Sequence, residues 1–149
     1  MIKTRTLLIA SGAALLAAAS PALAGETMAD GGRKLSTTLS GAAEVPGPGD
    51  TDGTGSFTAR VNPGQGQVCY TLTVAMIATP TAAHIHRGSS SVAGPVVAAL
   101  AAPVAGSSEA CVTVTRELAM ALIQNPQDFY VNVHNAAFPK GAVRGQLAK

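Results

Sequence analysis

The chain has 149 residues, 47% of them hydrophobic and only 12% charged, and a formal net charge of +2 at neutral pH. Lys3 and Arg5 account for that excess, because from Gly25 onward eight basic side chains face eight acidic ones. The clustered positive charge that nucleic acid or an anionic membrane surface requires is therefore missing, and neither is an expected partner.

Residues 1–24 carry the marks of a secretory signal peptide. Lys3 and Arg5 form a positive start, Thr6 to Ala19 an Ala/Leu-rich apolar run, and Ala22-Leu23-Ala24 a small-x-small cleavage pattern. No other stretch approaches the roughly 20 apolar residues of a membrane span. The expected product is a periplasmic or secreted protein with no membrane attachment after cleavage. Residues 25–33 lack periodicity and read as a flexible lead-in to a single domain over residues 34–149.

A first strand is expected at about Lys34 to Ser40. Glu44 to Asp50 is dense in Gly and Pro and reads as a turn. Gly53 to Val61 sets Phe57, Ala59 and Val61 against Ser56, Thr58 and Arg60, the alternation of a half-buried strand. Asn62 to Gly66 makes a hairpin connection to Gln67–Val74, where Val68, Tyr70, Leu72 and Val74 oppose Cys69, Thr71 and Thr73. A strand around Ala82 to His86 follows Thr79-Pro80; a loop over Arg87 to Ala93 leads to short strands at Pro95 to Leu100 and Ser107 to Val114. The single helical signal starts at Thr115, an N-cap candidate with Glu117 in its first turn, and stops at Asn125-Pro126. Phe129 to His134 and Ala142 to Leu147 close the chain as strands. Seven or eight short strands at this spacing, with one short helix, predict an all-β Greek-key sandwich or barrel.

The three histidines all fall in strand-like runs, Ala82-Ala83-His84-Ile85-His86 and Tyr130-Val131-Asn132-Val133-His134. Strand alternation sends His84 and His86 to one face about 6 to 7 Å apart, with Ile85 on the other. Tyr130, Asn132 and His134 likewise share a face. If the two runs pair, three imidazoles meet on the outer face of the barrel and form a metal site; ordinary exposed strand histidines are the alternative. Imidazole suits copper and zinc, and copper(II) leads the divalent affinity order. Tyr130, Asn132 and Asn135 are candidates to orient the rings. Cys69 and Cys111 both lie in strands of an exported chain, and a structural disulfide is expected; closing a loop of about 40 residues contributes on the order of 4 kcal/mol. Ser89-Ser90-Ser91 lies in no nucleophile elbow, the carboxylates are scattered, and no Gly-rich phosphate loop precedes a helix, so hydrolysis and nucleotide chemistry have no footing.

Leu39 to Pro46, Tyr70 to Val74, Ala82 to Gly88, Gly94 to Val97, Tyr130 to Asn135 and Phe138 to Leu147, in this order, resemble the CHRD (chordin-type) domain family over nearly the whole mature chain. That resemblance implies an exported all-β domain and leaves its biochemistry open. The site is also similar to the copper half of the copper/zinc superoxide dismutases. His84, His86 and His134 fall on that family's copper histidines, and Arg144 on the arginine beside its open copper position, which implies a superoxide dismutase-like fold and anion steering. No histidine here fills the bridging position and no His/Asp cluster makes a zinc site, so the resemblance implies a mononuclear copper centre acting on a small anion such as superoxide. A non-catalytic copper or zinc store and a structural or adhesive domain remain open beside it.

Overall fold

The structure is a computed structural model and describes residues 31–149. The expected signal peptide over residues 1–24 and most of the expected lead-in lie outside the described residues. Eight strands and one helix follow in order: β1 (Arg33–Ser40), β2 (Thr54–Asn62), β3 (Gln67–Ala75), β4 (Pro80–Arg87), β5 (Val96–Leu100), β6 (Ser107–Thr113), α1 (Arg116–Gln124), β7 (Phe129–Asn135) and β8 (Val143–Gln146).

All eight strands join one antiparallel sheet in the order β5-β4-β7-β8-β1-β2-β3-β6. The sheet curls until its edges meet. The backbone N–H of Ala101, just past β5, donates to the Tyr70 hydroxyl on β3 at 2.7 Å. Ser108 Oγ on β6 donates to the Ala101 carbonyl at 2.8 Å. Around this nearly closed barrel the strands read β3-β6-β5-β4, four consecutive strands with the first beside the last, which is the Greek key expected.

Alternation decides which residues fill the barrel. Phe57, Ala59 and Val61 from β2 and Val68, Tyr70, Leu72 and Val74 from β3 point inward and are buried, with the Phe57 and Tyr70 rings stacked at 5.6 Å. Ala83 and Ile85 from β4, Val131 and Val133 from β7 and Val143 from β8 complete the opposite wall. Thr115 Oγ1 accepts from the Leu118 N–H at 3.1 Å and caps α1, which buries Ala119 and Leu122 against this core. Cys69 and Cys111 sit directly opposite each other in the β3–β6 register and form the expected disulfide.

The segment between β1 and β2 does more than turn. After a 3-10 turn at Gly41–Ala43 it doubles back, with the Gly49 N–H donating to the Gly41 carbonyl at 2.9 Å and the Asp50 N–H to the Ala142 carbonyl at 2.8 Å. Gly41 permits that approach, because a Cβ there would run into the Asp50 backbone. The segment is thereby laid over the start of β8.

Candidate metal centre

The histidine strands are sheet neighbours. In the β4–β7 register Ala82 faces His134, His84 faces Asn132 and His86 faces Tyr130; in the β7–β8 register Asn132 faces Arg144 and Tyr130 faces Gln146. Ile85, Val131, Val133 and Val143 take the inner face. His84, His86, Tyr130, Asn132, His134, Arg144 and Gln146 are therefore gathered on one patch of the outer face. The ring centroids lie 5.5 Å apart for His84 and His86, 5.0 Å for His84 and His134, and 6.2 Å for His86 and His134. One nitrogen from each ring falls within 4.8 Å of the other two.

Hydrogen bonds select which nitrogens face inward. His86 Nδ1 donates to the Gly94 carbonyl at 3.0 Å, leaving Nε2 with its lone pair; that atom is buried and pairs with no protein group. His134 Nδ1 donates to the Pro139 carbonyl at 3.1 Å and likewise frees Nε2. His84 Nδ1 lies 3.1 Å from His134 Nε2, so in the metal-free state it carries the hydrogen between them. Burial lowers the pKa of all three imidazoles, with their mutual charge adding to the effect at His86 and His134. The rings are thus held neutral, the form that ligates a metal. A tetrahedral ion bound at ~2.0–2.1 Å needs nitrogens about 3.3 Å apart. To hold such an ion the His84–His134 pair, now 3.1 Å apart, would open slightly, the nitrogens spread over up to 4.8 Å would close in, and the His84 proton would move to Nε2.

The outer face is not an open surface here. Two loops roof the patch. In the β4–β5 loop the Ser89 carbonyl accepts from Arg144 Nη2 at 2.7 Å and the Gly88 carbonyl from Gln146 Nε2 at 2.7 Å. The Gly94 peptide meets both His86 and the Tyr130 hydroxyl, to which its N–H donates at 3.1 Å. Gly94 has to be glycine, because a Cβ there would strike the Arg87 carbonyl. The β1–β2 loop brings Glu44, which accepts from Asn132 Nδ2 through both carboxylate oxygens at 2.7 and 2.9 Å. Asn132 and Arg144 are each only 2% exposed, although both belong to the outer face.

Within this patch the predicted side chains hold different positions. Tyr130, on the strand between β4 and β8, stacks with the His86 ring at 4.7 Å and carries the Arg144 guanidinium 3.4 Å from its ring centroid. Asn132 contacts Glu44, and no hydrogen bond joins it to an imidazole among the described residues. Asn135 has the opposite strand parity; its side chain accepts from the Phe138 N–H at 2.8 Å and shapes the turn that offers the Pro139 carbonyl to His134. Arg87 turns away, its guanidinium 4.8 Å from the Phe129 ring centroid. Glu44 is the residue the sequence reading missed: its carboxylate is buried, and burial pushes its pKa up to about 7 against the opposing pull of Arg144. A carboxylate among so many glycines and prolines was the available signal.

The CHRD domain family model matches residues 35–147. No curated protein and no solved structure matches the chain.

Proposed function

Because this chain belongs to the CHRD domain family, whose barrel here gathers three histidines, we propose that it is an exported mononuclear copper protein that reacts with a small anion such as superoxide. The observation that carries the reading is the convergence of one nitrogen each from His84, His86 and His134, with His86 Nε2 buried and without a protein partner. Copper, when bound, supplies a one-electron couple that oxidises one superoxide to dioxygen and, with two protons, reduces the next to hydrogen peroxide. Three imidazoles leave a coordination position for a small ligand. The Gly94 and Pro139 carbonyls fix the tautomers of two ligands, as the partners of metal-binding imidazoles commonly do. Arg144 contributes positive charge beneath the roof, and the two loops exclude anything bulky. The disulfide supports export, since such bonds persist in oxidising compartments.

The test is copper content and electron paramagnetic resonance on the processed chain, beside His86→Ala and His134→Ala. One copper per chain with a nitrogen-coordinated spectrum is expected in the parent, with loss in each variant and loss of superoxide consumption above that of free copper. Copper retained by both variants would sink the reading. A second reading is copper or zinc carriage without turnover, favoured by the near-complete burial of Arg144 and its bond to the Ser89 carbonyl. It predicts the same stoichiometry with only free-ion rates.

A further inference from the structure

Asn132 sits at the centre of the patch, opposite His84 on one side and Arg144 on the other. An amide can present either end to its surroundings, and Glu44 removes that freedom. Both carboxylate oxygens contact the same amide nitrogen, at 2.7 and 2.9 Å, and the carboxylate, once ionised above its pKa of about 7, can only accept. The Nδ2 end is therefore committed to Glu44, and Oδ1 is the free end.

That oxygen is buried and pairs with no protein donor, and Arg144 Nη1 is buried with no protein acceptor. The two residues face each other in the β7–β8 register, yet the atoms do not bond to one another. Each group loses its hydration without compensation if it stays so. An acceptor and a donor left over on two facing residues fit a ligand that both donates and accepts, which is the chemistry of an O–H group. A bare anion would satisfy Arg144 and leave Oδ1 facing negative charge.

We propose that Glu44 is a positioning residue that turns the Asn132 carbonyl toward the histidine centre, so that Asn132 Oδ1 and Arg144 Nη1 together hold a protic oxygen ligand, water at rest, beside the metal. Glu44 is itself locked in place. A Cβ at Gly141 would collide with its carboxylate, one at Gly49 would crowd its Cγ, and the Gly141 φ of +147° is one that side-chain-bearing residues rarely adopt. The device thus spans three separate stretches of chain, 41–50, 129–135 and 141–146.

This inference rests on the copper reading, and its test separates the two. The parent, Glu44→Gln and Asn132→Ala are loaded with copper at pH 8 and compared in water and in deuterium oxide by electron spin echo envelope modulation, with copper affinity measured by chelator competition. The parent should show deuterium modulation from an exchangeable ligand close to copper. That modulation should fall by at least half in both variants. In Glu44→Gln the new amide can donate as well as accept and no longer dictates how Asn132 is turned, and in Asn132→Ala the acceptor is gone. Copper affinity should fall less than it does in His86→Ala, because neither Glu44 nor Asn132 bonds to an imidazole. Modulation unchanged in Asn132→Ala, or absent from a copper-loaded parent, would overturn the inference and leave the copper site standing. Failure of the parent to bind copper would remove both.

Discussion

At the scale of single residues, the outer face of β4, β7 and β8 holds polar groups that ordinary strands would give to water. Glu44, brought over that face by the β1–β2 loop, is the clearest case, with a folded pKa of about 7 against an ordinary value of 4.5, caused first by burial. A raised carboxyl pKa means that the folded chain holds its proton more tightly than the unfolded chain does. Stability contributed by this group is therefore present below pH 4.5 and is lost as pH rises toward 7, by about 3 kcal/mol at 1.36 kcal/mol per unit. The histidines act in the opposite sense, since their lowered pKa values make the folded state gain stability as pH rises through their range. Substituting Glu44 isolates its share. Urea unfolding of the metal-free protein at pH 5 and pH 8 should show that the stability change between the two shifts by about 3 kcal/mol in favour of pH 8 in Glu44→Gln. An identical pH dependence in parent and variant would mean that Glu44 titrates as it does in water.

At the scale of elements, the strands and the helix were legible because their signals are local. Phe57-x-Ala59-x-Val61 and Val68-x-Tyr70-x-Leu72 announce an inner face by period two, and Thr115 announces the start of α1 by its hydroxyl. The convergence of the histidines followed from the same parity, given the pairing of β4 with β7. The roof was not legible. Glu44 meets Asn132 across 88 residues and Arg144 meets Ser89 across 55, and no local period encodes such contacts. What the sequence does contain is the set of glycines that let the loops approach, and Gly94 tests their role. In Gly94→Ala the added Cβ strikes the Arg87 carbonyl, so the loop must shift and loosen the peptide that contacts both His86 and Tyr130. Overpacking of this kind costs about 1–3 kcal/mol. Thermal melting should fall accordingly and copper affinity should drop by roughly 10-fold or more, whereas Ser91→Ala at the exposed loop tip should match the parent in both. Copper affinity unchanged in Gly94→Ala would mean that the roof is a passive cover.

At the scale of the whole molecule, the barrel has one weak line. Seven pairs of neighbouring strands are joined by backbone hydrogen bonds, but the end of β5 meets β3 and β6 through the Tyr70 and Ser108 side chains on Ala101. β6 therefore depends on its ladder with β3 and on the Cys69–Cys111 bond that crosses it. The histidine centre stands on β4, β7 and β8, beyond β5 from this seam. Removing the disulfide, which closes a separation of 42 residues, should cost about 4 kcal/mol if the effect is on the unfolded chain. The double variant Cys69→Ala, Cys111→Ala should melt at a much lower temperature, and its first backbone amides to gain hydrogen exchange should lie in β6. Well below the melting temperature it should still bind copper as the parent does, because the ligands stand on β4 and β7 and the two roofing loops bond to side chains of β7 and β8. Loss of copper binding in a variant that remains folded would show that the seam carries strain to the site, and that the barrel acts as one rigid support for it.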